Sequence, residues 1–194
     1  LPWAIPHPMA MVTNKKTNLF HSNVSHYELM RDLNRQWRQW TIDEPAVFIT
    51  FNGMAYDEEL VRRQFYWNLF ESYLTNTNGN GRLDILLMMN NVAAFSPDVL
   101  NIPLFNGGPG VSLKQADIAE ANGIEIGDAH DAIADCKLMS SLLEKINAKK
   151  PELIDFFLSI SSKPGVQAAV EQPGFLGLGE VFRREIFKYP VVPC

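Results

Sequence analysis

The sequence predicts an α/β fold that is rich in helix, built on an incomplete sheet and followed by a short β module. Three observations carry this. Amphipathic segments with helix-start and helix-stop signals fill most of residues 1–163. One short run, Val47-Phe48-Ile49-Thr50-Phe51, is β-branched and aromatic and reads as a buried strand. After Lys163-Pro164-Gly165 the pattern changes to Gly-x-Gly punctuation between short apolar runs. A single strand cannot make a stable sheet, so sheet partners are expected to be missing from what the pattern shows.

The elements follow in order. Residues 1–24 are rich in Pro and Asn and read as irregular. Ser25-x-x-Glu28 is a capping box and opens a helix through about Trp40, which Asp43-Glu44-Pro45 ends. Asp57 to about Leu74 reads as a helix with an acidic first turn, as the macrodipole favours. Thr75–Gly81 is a loop by composition, Asp84–Phe95 an apolar helix, and Ser96–Gly110 a long loop with several Pro and Gly. Ser112-x-x-Gln115 reads as the cap of another helix, closed by Gly123. Asp131–Ala148 is predicted helical, and Pro151 suits the first turn of a helix to about Ile160. Two units are expected: 1–163, and 164–194 as the start of a second module.

With 194 residues, 46% of them hydrophobic, the chain can bury a core. No apolar run approaches a membrane span of roughly 18 residues. No basic-then-apolar segment opens the chain, and Cys136 and Cys194 make no disulfide framework. A cytoplasmic, monomeric protein is expected. The net charge of -5 argues against coating nucleic acid by bulk charge. An enzyme that holds divalent metal on carboxylates is compatible with it, because the metal then supplies the positive charge facing phosphate.

Two segments have the composition of a site. Asn52 and Asp57 stand where the strand runs into a helix, the carboxyl edge at which α/β proteins bind ligands. Asp57 taken alone also fits an ordinary charge at a helix start. In Ala129–Asp135, His130 precedes Asp135 by five residues at a loop-to-helix junction. A carboxylate there can ligate a hard cation, and a neutral imidazole can accept a proton. The bland alternative is a capped helix with a solvated Asp135 and a loop histidine.

Taken in order, Phe51-Asn52-Gly53-Met54-Ala55-Tyr56-Asp57, then Leu83-Asp84-Ile85-Leu86-Leu87, then Ala121-Asn122-Gly123-Ile124-Glu125, then Ala129–Asp135 resemble the DEDDh exonucleases, a ribonuclease H-like family. The resemblance runs through nearly the whole chain, from Pro8–Thr13 to beyond Lys150–Asp155. It implies removal of mononucleotides from the 3′ end of single-stranded DNA, in repair or recombination. Two Mg²⁺ ions, with Mn²⁺ as a substitute, would be held by four carboxylates. Asp57 and Asp135 match the third and fourth of these, and His130 matches the general base for the attacking water. Arg62, Tyr73 and Lys114 match DNA-contact positions, whereas Thr77 and Asn90 stand where the family has a tryptophan and an arginine. A single-strand-DNA-binding protein is an implied partner, and the tail after Gly165 resembles the start of an SH3-like module.

One motif of that family is absent: no strand carries Asp-x-Glu, since Asp57-Glu58-Glu59 is already placed on a helix. The chain also begins Leu1-Pro2-Trp3 and closes on the strand-like Tyr189–Cys194. Both features predict a piece of a larger domain, inactive alone and poorly folded. Two alternatives remain open: a relative directed at RNA or short oligonucleotides, and a non-catalytic remnant that binds nucleic acid.

Overall fold

The structure is a computed structural model and describes residues 8–9, 23–126 and 132–192. The irregular stretch expected at 1–24 lies almost entirely outside them. Helix α1, His26–Trp40, begins at the expected capping box. Ser25 Oγ accepts from Glu28 N at 3.2 Å, and the Glu28 carboxylate accepts from Ser25 N at 2.9 Å. Its buried side holds Met30 and Asn34, and Trp37 packs on Phe48 and Phe65 with ring centroids 5.1 and 5.6 Å apart.

Strand β1, Val47–Thr50, pairs in parallel with β2, Gly81–Asp84, with Val47 opposite Gly81 and Thr50 opposite Asp84. The sequence pattern misses β2, because Gly-Arg-Leu-Asp has no β-branched residue and neighbouring segments hold it extended. Gly81 N donates to Ala46 O, and Arg82 N donates at 2.7 Å to Ser161 O on the opposite side. Asn80, almost fully buried, stitches the approach: its side chain accepts from Ala46 N and donates to Leu74 O. Leu74–Asn76 forms a 3₁₀ turn that runs into the expected Thr75–Gly81 loop. Helix α2, Asp57–Trp67, stops well short of the expected Leu74. Asn68 and Leu69 end it, with Leu69 at φ 59°.

The core lies around helix α3, Ile85–Phe95. Ile85, Met88, Met89 and Val92 are fully buried there, each worth about 1.5–3 kcal/mol of transfer free energy. Around it pack Ile118 of α4 (Gln115–Ala121), Leu142 and Ile146 of α5 (Ala132–Lys149), and Phe157 of α6 (Pro151–Ser159). Pro151 occupies the first turn of α6 as expected.

Gly123, at φ 63°, closes α4 in a Schellman arrangement. Gly123 N donates to Glu120 O, and Ile124 N to Ala119 O. The start of α4 differs from expectation. The cap position is Lys114, and Ser112 sits outside the helix, donating to Asp117 and accepting from Lys114 N.

Beyond residue 162 the first element is a helix rather than a strand. Helix α7, Lys163–Val170, is opened by Ser162, whose side chain accepts from Gly165 N, with Pro164 in the first turn. Strands β3, Leu176–Phe182, and β4, Glu185–Val191, then form the expected β structure as an antiparallel hairpin. The hairpin lies along α3. Asn91 and Asn90 accept from Gly179 N at 2.9 Å and Val181 N at 2.6 Å, so two side-chain amides serve β3 as a partner strand would.

Candidate active site and nucleic-acid contacts

The chain between β1 and α2 is shaped by one buried carboxylate. Asp84, only 3% exposed, ends β2. Its Oδ1 accepts from Asn52 N at 2.7 Å and Leu86 N at 3.0 Å, and its Oδ2 accepts from Met54 N at 3.1 Å. One side chain thus caps α3 and holds the 52–54 turn. Asn52 takes φ 61° there, a conformation Asn tolerates better than most residues. At Gly53 a Cβ would collide with the Thr50 side chain, so only glycine fits. Gly53 O accepts from Tyr56 N and from Glu58 N at 2.8 Å, which sets the first turn of α2. Glu58 then pairs with Arg82 on β2 at 2.9 Å, its side chain 7% exposed.

Asp57 therefore stands on a firmly held helix start at the carboxyl end of β1. It is exposed, and its neighbours Glu58 and Glu59 are engaged with Arg82, Arg62 and Arg63. The Arg63 hydrogen bond holds the Glu59 carboxyl below the usual carboxylate range. Asp135, half-buried, lies in the first turn of α5. Its backbone carbonyl accepts from Gln115 Nε2 at 2.6 Å, tying α5 to the start of α4 beside Lys114. His130 lies outside the described residues. Among the described residues no group of three or more His, Cys, Asp or Glu has the spacing to hold a metal ion. Asp57 and Asp135 fit a divalent cation as hard oxygen donors, as part of a set and not as a whole one.

The expected DNA-binding residues fall into two places. The Arg62 guanidinium lies over the Tyr73 ring at 5.0 Å. Arg62 is 3.6 Å from Glu59, and Tyr73 is 52% exposed. Lys114 is exposed, its ammonium 5.7 Å from the Phe105 ring. Thr77 and Asn90 have structural work: Thr77 donates to Glu71 and Tyr73 O, and Asn90 links Leu86 O to Val181 N. Sequence reasoning passed over Asp84 and Gln115 as site-building residues. The signal for Asp84 was an aspartate directly before an apolar helix; Gln115 was read only as part of a helix cap, and nothing local marked its reach to Asp135.

No family model matches the chain. Among curated proteins, exodeoxyribonuclease I of Buchnera aphidicola subsp. Baizongia pistaciae is 29% identical over 161 residues, 82% of this chain and 32% of that protein. Among solved structures, E. coli exonuclease I in complex with a dT13 oligonucleotide superposes with a TM-score of 0.80 at 22% identity, over 97% of this chain and 42% of that one. An ExoI/SSB-Ct complex gives 0.79 at 21% identity, over 97% and 42%. The chain spans between about a quarter and a third of the length of the curated relatives it matches. In sequence and in fold, over most of its own length, the chain is similar to one segment of exodeoxyribonuclease I.

Proposed function

We propose that this chain is a segment of a metal-dependent 3′–5′ exonuclease that releases mononucleotides from single-stranded DNA. The observation that carries the reading is the sequence likeness to exodeoxyribonuclease I over four-fifths of the chain. The exposed Asp57 at a rigid strand-to-helix junction supports it. Asp57 and Asp135 would hold Mg²⁺ together with an Asp-x-Glu pair borne on a further strand. β1 offers a place for that strand: among the described residues it is paired on one side only. The bound ions would supply Lewis-acid activation of the nucleophile and stabilisation of the leaving 3′ oxygen. His130 would take the proton of the attacking water, which requires a neutral imidazole. Arg62 and Tyr73 would hold the strand by charge and by base stacking, with Lys114 on phosphate. Residues 1–163 would be the nuclease part and 164–194 the opening of an SH3-like module. A single-strand-DNA-binding protein would be a partner, and the enzyme would act in the cytoplasm in DNA repair.

The test uses a fusion that places an Asp-x-Glu strand ahead of Leu1. Labelled single-stranded DNA should be shortened from its 3′ end only when Mg²⁺ is present. Asp135→Ala should lower turnover by roughly a hundredfold or more with oligonucleotide affinity nearly unchanged. Turnover within tenfold of the parent would remove Asp135 from the ligand set. His130→Ala should lower kcat and leave KM nearly constant.

A further inference from the structure

The β3–β4 turn holds its two central residues at positive φ, Arg183 at 50° and Arg184 at 72°. Such turns favour Asn and Gly because side chains strain this conformation. The turn is docked as well as strained. Arg184 O accepts from Val111 N at 2.8 Å, and a Cβ on Gly110 would stand 2.6 Å from Arg184 Cβ. The Arg184 guanidinium lies 3.4 Å from the centroid of Phe105, the ring that also carries the Lys114 ammonium at 5.7 Å. Neither cation has a carboxylate partner among the described residues, whereas Arg31, Arg35, Arg38, Arg62, Arg63 and Arg82 all do. Next to Lys114, Gln115 holds the backbone of Asp135.

We propose that Arg184, with Lys114, forms a phosphodiester-binding site on Phe105 that grips the backbone of a single strand running to Asp135. A guanidinium stacked on a ring keeps its in-plane N–H donors free, in the fork that matches phosphate. Stacking and the docked turn fix that fork beforehand, so little side-chain entropy is lost on binding. In a chain of net charge -5, two unpaired cations on one ring are a local feature and not a bulk one. The site rests on the single-strand reading above, and it brings the C-terminal hairpin into strand binding.

The experiment is anisotropy of a fluorescein-labelled oligothymidylate in EDTA, titrated across salt. Arg184→Gly suits φ 72° and removes the fork without straining the turn, so melting should be preserved. It should weaken binding about tenfold at low salt, the worth of a charge-assisted hydrogen bond. It should also make the dependence of log K on log salt shallower by roughly 0.7 for each phosphate no longer neutralised. Arg184→Lys should recover part of the affinity. Arg183→Gly removes the same charge from the same turn, away from Phe105, and should cost much less. Equal losses from Arg183→Gly and Arg184→Gly would overturn the site in favour of diffuse charge. Unchanged affinity and slope in Arg184→Gly would overturn it while leaving the single-strand reading intact. A parent chain that binds no oligonucleotide would overturn both.

Discussion

Asp84 shows how one side chain can serve a strand end, a helix cap and a site loop together. Its carboxylate accepts from three backbone donors while almost fully buried. Each of those donors would be left unpaired by an apolar replacement. Asp84→Asn keeps a good cap for α3 but turns an amide donor toward the 52–54 turn. The expected result is a loss of about 1–3 kcal/mol in chemical denaturation. Amide exchange should accelerate at Asn52, Met54 and Glu58 more than at Val92. Uniform acceleration along the chain would mean that Asp84 serves the global fold and not the Asp57 turn. The sequence marked Asp57 and Asp135 through their positions at helix starts. It could not mark Asp84 as the support of the Asp57 turn, because the donors it serves there lie some thirty residues upstream.

At the scale of elements, local chemistry was legible at three helix ends and misleading at Ser112, which lies outside α4. The capping box of α1, Pro151 in α6 and Gly123 after α4 all stand where the pattern placed them. α2 was overextended because apolar residues continue past Trp67, and β2 was missed because its strand state comes from Ala46 and Ser161. The α1 cap has a pH signature. Hydrogen bonds from the Ser25 backbone and hydroxyl lower the Glu28 pKa from its ordinary 4.5. A depressed carboxyl pKa gives stability that is present above the unfolded value and lost as pH falls through the folded one. Helicity of α1 should therefore be retained at neutral pH and decline as pH falls below about 4.5. Ser25→Ala should flatten that decline and lower stability at pH 7 by about 1 kcal/mol. An acid transition unchanged in Ser25→Ala, followed by circular dichroism, would place the titrating group elsewhere.

For the whole molecule, composition foresaw helices in excess of strands and a sheet short of partners. Among the described residues the sheet has two strands, and its two edges are unlike. Beyond β2 lies Ser161, whose carbonyl takes the Arg82 N–H. Beyond β1 no described residue pairs, and Val47 and Ile49 are 36% and 37% exposed. An open edge bearing apolar residues is a template for other chains. The isolated chain should self-associate as its concentration rises, and Ile49→Lys should suppress this in sedimentation velocity. Concentration-independent sedimentation of the parent would show that the β1 edge is protected. The second unit was anticipated as β structure, and the hairpin is there, but Ser162 and Pro164 first open a helix that the change in composition concealed.

The bond from Arg82 to Ser161 also imposes an order in time. Both strands leave a ribosome long before the segment that follows α6. Until that segment emerges, the outer side of β2 lacks the Ser161 carbonyl that takes the Arg82 N–H. The outer border of β2 is therefore completed late, when Ser161 arrives.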